Sequence, residues 1–352
     1  MAMKRIVTSV LVFVVFSVFA FSQRSFSVYQ MNIWQEGTKV DDGLNKIADV
    51  IAALKPDVVT FSEVRNYKGE DWTDKIVAKL NERGEKYFGK YAGGDVTLIS
   101  KFPIEKTEII FDDTKIDSGS ITAYLLNIDG KKIWVCPGHL DYRYYAVYMP
   151  RGYTGGIPDW KMIDDGKGNP EPVTNVETIL AYNKLSKRDE ALKAFIVFSK
   201  LQGDVPVLLG MDMNGASHLD WTEKTKDMFG HNGLVIPWNN TLALEKAGFV
   251  DAYRKLFSDE VDYPGITWPA HPSGYDKSVS WTPKADERDR IDYIFYKGDG
   301  LSAEDAFLVG SEVSYVNGKQ VKMDSFKDQW LYEDKPWPSD HFGVLVKFEL
   351  KD

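Results

Sequence analysis

The sequence predicts an α/β fold in which a mixed β-sheet carries one polar site. Three observations predict it. Short β-branched and aliphatic runs alternate with a few helical stretches whose apolar residues fall on one face. Most of those runs end on a polar residue capable of chemistry, which is how a sheet assembles one site from distant parts of a chain. No internal repeat, low-complexity tract or Ser/Gly linker divides the 352 residues, so one domain over residues 23–352 is expected.

Residues 1–22 are expected to stand outside that domain. Lys4 and Arg5 precede an apolar run from Ile6 to Phe21, followed by Ser22 and Gln23. This is the pattern of a secretory signal, cleaved near Ala20 to Ser22, and the run is short for a membrane span. An uncleaved anchor is the alternative. The expectation is an exported protein, periplasmic or extracellular, with no transmembrane span after signal removal. The signal holds two cations and no acids, so the formal charge of −9 becomes 41 − 52 = −11. Such an acidic balance works against non-specific binding to a polyanion, so nucleic acid is a possible but unfavoured partner. The single cysteine, Cys136, lies in the apolar run Ile133-Trp134-Val135-Cys136, where it reads as a buried small hydrophobe with no disulfide to form.

In chain order, Phe26, Val28 and Met31 begin a strand ending near Asn32. Leu44, Ile47, Ala48, Ile51 and Leu54 share a helical face, and Lys55-Pro56 stops that helix. Val58 to Phe61 forms the next strand and delivers Glu63. Trp72 to Leu80 is helical, and four strands follow, over Asp95 to Ser100, Thr107 to Phe111, Ser120 to Ile128 and Lys132 to Pro137. The last leads to His139. Lys184 to Leu201 is the strongest helix, and Thr241 to Ala247 a shorter one. Arg290 to Tyr296 and Phe342 to Leu350 close the chain as strands.

The stretch Val205 to Asn214 concentrates the chemistry. Its apolar run is a buried strand, and if the strand direction holds through Asn214, a period of two puts Asp212 and Asn214 on one face beside the turn at Gly215. A strand cap or Asx turn is the structural alternative. Glu63 and Asp340 are hard oxygen ligands, and Asn32 offers an amide oxygen; a few carboxylates with room for water and phosphate suit Mg²⁺. No Cys/His cluster suggests a structural zinc. His341 follows Asp340, and an aspartate such as Asp292 can fix an imidazole tautomer and favour its charged form. Each residue alone also has a plain structural reading: a solvated strand end for Glu63, a turn for Asp340-His341, a satisfied core histidine for His139.

Read as an ordered set, Met31-Asn32-Ile33-Trp34, Phe61-Ser62-Glu63-Val64, Gly138-His139-Leu140, Gly210-Met211-Asp212-Met213-Asn214, Arg290-Ile291-Asp292-Tyr293-Ile294 and Ser339-Asp340-His341-Phe342 resemble the endonuclease/exonuclease/phosphatase (deoxyribonuclease I-like) superfamily, over residues 26–350. Ser217-His218-Leu219-Asp220-Trp221 resembles what secreted bacterial members carry. The resemblance implies a four-layer αββα sandwich of two mixed sheets with helices outside. It implies that Asn32, Glu63 and Asp340 bind Mg²⁺, with Mn²⁺ or Ca²⁺ as alternatives. It further implies that Asp212 orients or deprotonates water, that Asn214 holds the phosphate or that water, that His139 contacts a phosphate oxygen, and that His341, oriented by Asp292, stabilises the pentacovalent phosphorus or transfers the proton, with either Asp212 or His341 as the base. Met213 stands where the family usually has phenylalanine.

Between His139 and the Lys184 helix, residues 142–183 form a long insertion expected to overhang the site. Arg143, Arg151 and Arg188 are candidates to meet substrate phosphate, and Tyr142 with its neighbouring tyrosines to stack on a ring; an aromatic mini-core with surface arginines is the alternative. His218 is a further candidate contact. Trp221, Trp238, Trp268, His271 and Trp281 are candidates for an opposite wall, or for simple packing. Three functions remain: a secreted metal-dependent phosphoesterase acting on a small or lipid-linked phosphodiester, a secreted nuclease, and a non-catalytic binding module. A monomer whose partner is a phosphate-ester substrate is expected.

Overall fold

The computed structural model describes residues 24–156, 160–333 and 335–351; the expected signal at 1–22 lies outside them. The first half runs β1 (Arg24–Asn32), α1 (Gly43–Leu54), β2 (Val58–Ser62), α2 (Trp72–Glu82), β3 (Phe88–Gly89), β4 (Val96–Ser100), β5 (Ile104–Asp112), β6 (Gly119–Ile128), β7 (Lys131–Leu140) and α3 (Val176–Asn183). The second half runs α4 (Arg188–Leu201), β8 (Val207–Asp212), α5 (Asn239–Lys246), β9 (Val250–Asp251), α6 (Ala252–Leu256), β10 (Asp292–Lys297), β11 (Leu301–Val309), β12 (Val313–Val316), β13 (Lys319–Lys322), β14 (Trp330–Leu331) and β15 (Gly343–Leu350).

Two mixed sheets result. One has the order β14-β11-β15-β1-β2-β4-β3, the other β5-β6-β7-β8-β10-β9, and β12 with β13 forms a small separate ribbon. The two sheets pack face to face through Val28, Val58, Leu98, Tyr124, Val135, Leu208, Ile294 and Val346. The outer face of the first sheet buries Ile47 and Ile51 of α1 and Trp72 and Ile76 of α2. The outer face of the second buries Leu192 and Phe195 of α4 and Leu244 of α5. Helix, sheet, sheet and helix make four layers, the architecture that the sequence motifs imply. The central strands β2, β4 and β8 are buried on both faces, as strands between a facing sheet and covering helices must be.

Sheet-to-sheet contact is close where the site forms. A Cβ at Gly210 would collide with the Thr60 side chain. Ser62 of β2 donates to the Gly138 carbonyl at 2.8 Å and accepts from the Asp212 amide at 3.2 Å, so one hydroxyl ties β2 to both β7 and β8.

Several elements depart from expectation. Strand β7 continues to Leu140, so His139 sits inside it rather than after it. The expected helix from Lys184 starts at Arg188; Lys184 to Lys187 break it from α3, and Leu185 is exposed. Strand β11 carries no strand signal in its first half, since Leu301-Ser302-Ala303-Glu304-Asp305 lacks β-branched residues. Pairing with β15 through a bulge at Ala303/Asp305 holds it in place.

Candidate active site

Register brings the candidate residues together. In the second sheet, Asp212 lies opposite His139 of parallel β7 and opposite Asp292 of antiparallel β10, so the three form one row across the strand ends. In the first sheet, Asn32 pairs with Ser62, and Glu63 follows directly. Asp340 and His341 precede β15, with the Ser339 hydroxyl bonded to the Asn32 carbonyl at 2.7 Å.

Strand β8 ends at Asp212, and Asn214 adopts a left-handed conformation at φ 50°. Its amide donates to Asp212 Oδ1 at 2.8 Å, which is an Asx turn, so the expected extended course through Asn214 does not hold. The turn still leaves Asn214 on the cavity wall, with its side chain donating to the Leu140 carbonyl at 3.0 Å. Glu63 is also left-handed, at φ 67°, and receives the Gln35 amide on Oε2 at 2.8 Å. Non-glycine residues in this region gather where function over-determines the backbone.

The hydrogen bonds converge on Asp212. Asn32 Nδ2 donates to Asp212 Oδ2 at 2.8 Å and to Glu63 Oε1 at 3.2 Å. His139 binds Asp95 through Nδ1 at 2.7 Å, and His341 binds Asp292 through Nδ1 at 2.9 Å. Both imidazoles therefore turn Nε2 toward Asp212 Oδ2, at 3.8 and 3.7 Å. Burial alone would lower both histidine pKa values, but the surrounding carboxylates outweigh it and raise them, Asp95 chiefly for His139 and Asp292 chiefly for His341. Burial also opposes the Glu63 anion. The charges of His139, Arg65 and His341, with the Asn32 hydrogen bond, hold its carboxyl below the ordinary range.

The donor set fits a divalent cation on the Glu63 and Asp340 side. Asp340 Oδ1 is buried without a hydrogen-bond partner. Burial, reinforced by the charges of Glu63 and Asp212, drives its carboxyl well above the usual range. A hard cation would meet that oxygen and relieve the repulsion. Asp212, Asp292 and His341 also bring ligand atoms within 4.8 Å of one another. In that group Asp292 Oδ2 is taken by His341 while Asp292 Oδ1 has no partner, and a protonated His341 would repel a cation. The Asn32 oxygen accepts the Trp34 amide at 2.9 Å, which leaves one lone pair for the expected ligand role, and its nitrogen clamps the carboxylates of Asp212 and Glu63.

The cavity holds about 350 Å³, and Glu63, His139, Asn214, Asp340 and His341 line its reacting end with Tyr142 beside them. The expected arginines do not reach it. Arg151 is buried, paired with Asp289 and bonded to the Phe229 carbonyl. Arg188 is buried and forks onto the carbonyls of Asp141, Arg143 and Tyr144. Arg143 folds back onto Asp141 at 2.7 Å. His218 bonds Thr241 at 2.8 Å and Glu245 at 2.5 Å, on α5 rather than in the cavity. Trp268 and Trp281 line the cavity, whereas Trp221 and Trp238 are buried packing and His271 pairs with Tyr315.

Two residues that the sequence did not single out shape the site. Asp95 orients His139. Arg65, two residues past Glu63, lies 3.7 Å from it and 2.9 Å from both Asp95 and Asp117. Only its closeness to Glu63 in sequence marks it.

A family model described as Endonuclease/Exonuclease/phosphatase family matches residues 30–341. An uncharacterized protein of Caenorhabditis elegans is 28% identical over 328 residues, covering 90% of this chain and 89% of its own. The endonuclease/exonuclease/phosphatase of Beutenbergia cavernae DSM 12333 superposes with a TM-score of 0.51 at 18% identity, over 93% of this chain and 72% of that one. D. rerio TDP2, solved as a complex with single strand DNA product, superposes with a TM-score of 0.51 at 16% identity, over 92% and 98%. At such identities the likeness to the solved structures is one of fold.

Proposed function

The chain belongs to the endonuclease/exonuclease/phosphatase family, and from that premise we propose that it is an exported, divalent-metal-dependent phosphodiesterase acting on a small or lipid-linked substrate by in-line attack of water. The observation that carries this reading is the convergence of Asn32, His139 and His341 on one carboxylate oxygen of Asp212. Glu63 and Asp340 would hold the metal, which supplies charge neutralisation on the phosphate oxygens and a lowered water pKa. Asp212 orients the attacking water and receives its proton as the new P–O bond forms. Asn214 positions the phosphate or that water. His341, held in one tautomer by Asp292, delivers positive charge to the transition state and a proton to the departing alcohol as the old P–O bond breaks. His139, held by Asp95, keeps its proton and donates a hydrogen bond to a phosphate oxygen.

Export is supported by the sequence of residues 4–21 alone, and a nematode relative lends no weight to a bacterial grouping. No helix among the described residues is long and apolar enough to cross a membrane. The TDP2 complex makes a nuclease the second reading, which the acidic charge and the buried arginines disfavour. The test is hydrolysis of bis-p-nitrophenyl phosphate against plasmid nicking, with EDTA and Mg²⁺, Mn²⁺ or Ca²⁺. Loss of hydrolysis with EDTA and recovery with metal is expected; hydrolysis indifferent to EDTA defeats the proposal, and efficient nicking favours the nuclease.

A further inference from the structure

The half of the cavity away from Glu63 and Asp340 is built from rings. Tyr145, Tyr148, Trp160, Trp268 and Trp281 line it. Successive rings meet near right angles: 75° for Tyr145 and Tyr148 with centroids 4.6 Å apart, 80° for Tyr148 and Trp160 at 5.4 Å, and 85° for Trp160 and Trp281 at 6.2 Å. Trp268 joins these walls to the reacting end. Its ring lies 4.9 Å from the His341 imidazole, and its Nε1 donates to the Tyr148 hydroxyl at 3.2 Å.

Shape and charge both limit the occupant. A flat ring stacks best against parallel faces, whereas walls at right angles surround a rounded group. These five rings carry no charge; Arg65 lines the same cavity but is paired with Glu63, Asp95 and Asp117, and Arg143, Arg151 and Arg188 are turned away or buried. A second phosphate or a carboxylate would find no counter-ion here. Negative charge instead lies behind the walls. Buried Glu287 accepts from the Tyr148 hydroxyl at 3.2 Å and from the Trp281 amide at 3.0 Å. Burial raises its pKa, while the hydrogen bonds from Ser280, Trp281 and Thr282 and the Arg151 charge favour its anion. Trp281, which packs edge-on against Trp160, is 50% exposed and leaves part of its indole open to an occupant. The Tyr145 hydroxyl, buried in the wall, has no hydrogen-bond partner. Ring faces backed by a carboxylate attract an organic cation, and most strongly one whose charge is spread over alkyl groups and thinly hydrated.

We propose that this aromatic half is a receptor for a quaternary ammonium group, so that the phosphate ester cleaved in the adjoining half carries a choline-type head. The proposal rests on the phosphodiesterase reading and narrows its substrate class. A cavity of about 350 Å³ suits one phosphate and one such head rather than a polymer.

The test compares p-nitrophenyl phosphocholine with its isostere p-nitrophenyl 3,3-dimethylbutyl phosphate, in which carbon replaces the charged nitrogen at equal shape. The wild-type protein with metal should prefer the choline ester by about tenfold or more in kcat/KM. In Trp160→Ala and Trp281→Ala that ratio should fall toward one. Binding is read separately by calorimetry with phosphocholine, which should saturate and weaken in both variants. Equal treatment of ester and isostere, or tighter binding of a nucleoside monophosphate than of phosphocholine, overturns the proposal. Saturable phosphocholine binding by a chain that hydrolyses no phosphate ester keeps the receptor and removes the phosphodiesterase. Phosphatidylcholine vesicles against soluble glycerophosphocholine then separate a lipid head group from a free ester.

Discussion

His341 Nε2 stands 3.7 Å from Asp212 Oδ2, and the opposite ring nitrogen is committed to Asp292. The imidazole therefore acts through Nε2, which faces Asp212, the Asn32 amide at 3.4 Å and the cavity. Asp212→Asn and His341→Gln should each lower kcat by about 10²–10⁴. The melting temperature should hold in Asp212→Asn and fall in His341→Gln, because the second change removes the buried cation that Asp292 and Asp212 share. Steady-state hydrolysis of bis-p-nitrophenyl phosphate beside a thermal melt reads both. Wild-type turnover in a folded variant would defeat the assignment.

Asp340 supplies a test of the metal that does not depend on turnover. Its buried carboxyl has an unpartnered oxygen and suffers the charges of Glu63 and Asp212. In metal-free protein, Asp340→Asn should raise the melting temperature, since the amide keeps the shape and drops the repulsion. Mg²⁺ should raise the wild-type melting temperature, a ligand at about 100 times its Kd adding ~2.7 kcal/mol. The variant should lose most of that rise. An equal Mg²⁺ shift in both proteins would move the metal away from Asp340.

Much of this site was legible because strand ends are. Asn32, Glu63 and Asp212 each close or follow an apolar run, Asp292 opens one, and strand register alone then sets His139, Asp212 and Asp292 side by side. What the sequence hides depends on partners far away in the chain. Asp95 looks like an ordinary strand start until His139, 44 residues on, arrives against it. Arg151 and Arg188 look like phosphate ligands because a long aromatic insertion surrounds them. Only the fold shows Asp289 and three carbonyls claiming them first. Strand β11 is hidden for a related reason, being held by β15 rather than by its own composition.

His231 predicts the acid side of the stability curve. It is buried, stacked on Trp221 with centroids 3.7 Å apart, and burial with the nearby Arg151 charge drives its pKa from 6.5 down to about 2. The fold thus holds it neutral, and a depressed pKa gives stability that is complete above 6.5 and is lost as pH falls toward 2. At pH 5 the loss is roughly 1.5 pH steps of 1.36 kcal/mol, about 2 kcal/mol. His231→Phe should escape it. Denaturant unfolding of both proteins at pH 8 and pH 5 isolates the effect, because titrating carboxylates elsewhere are common to both. A stability difference that does not change with pH would refute it.

Arg188 separates packing from substrate binding. It emerges from the first turn of α4, is fully buried, and spreads its guanidinium over the Asp141, Arg143 and Tyr144 carbonyls and the Asn183 side chain. Burial lowers its pKa to about 10, so it remains charged at neutral pH. Arg188→Met strands those acceptors at about 1–3 kcal/mol each, and a total loss near 3 kcal/mol is expected after relaxation. Arg188→Lys should recover little, because an ammonium cannot reproduce a planar fork onto several carbonyls. A phosphate ligand would behave in the opposite way: the lysine variant would keep its stability, and its KM for bis-p-nitrophenyl phosphate would lie between those of wild type and Met. Urea unfolding and KM for the two variants decide it, and loss of stability in both with KM unchanged is the outcome that the buried fork requires.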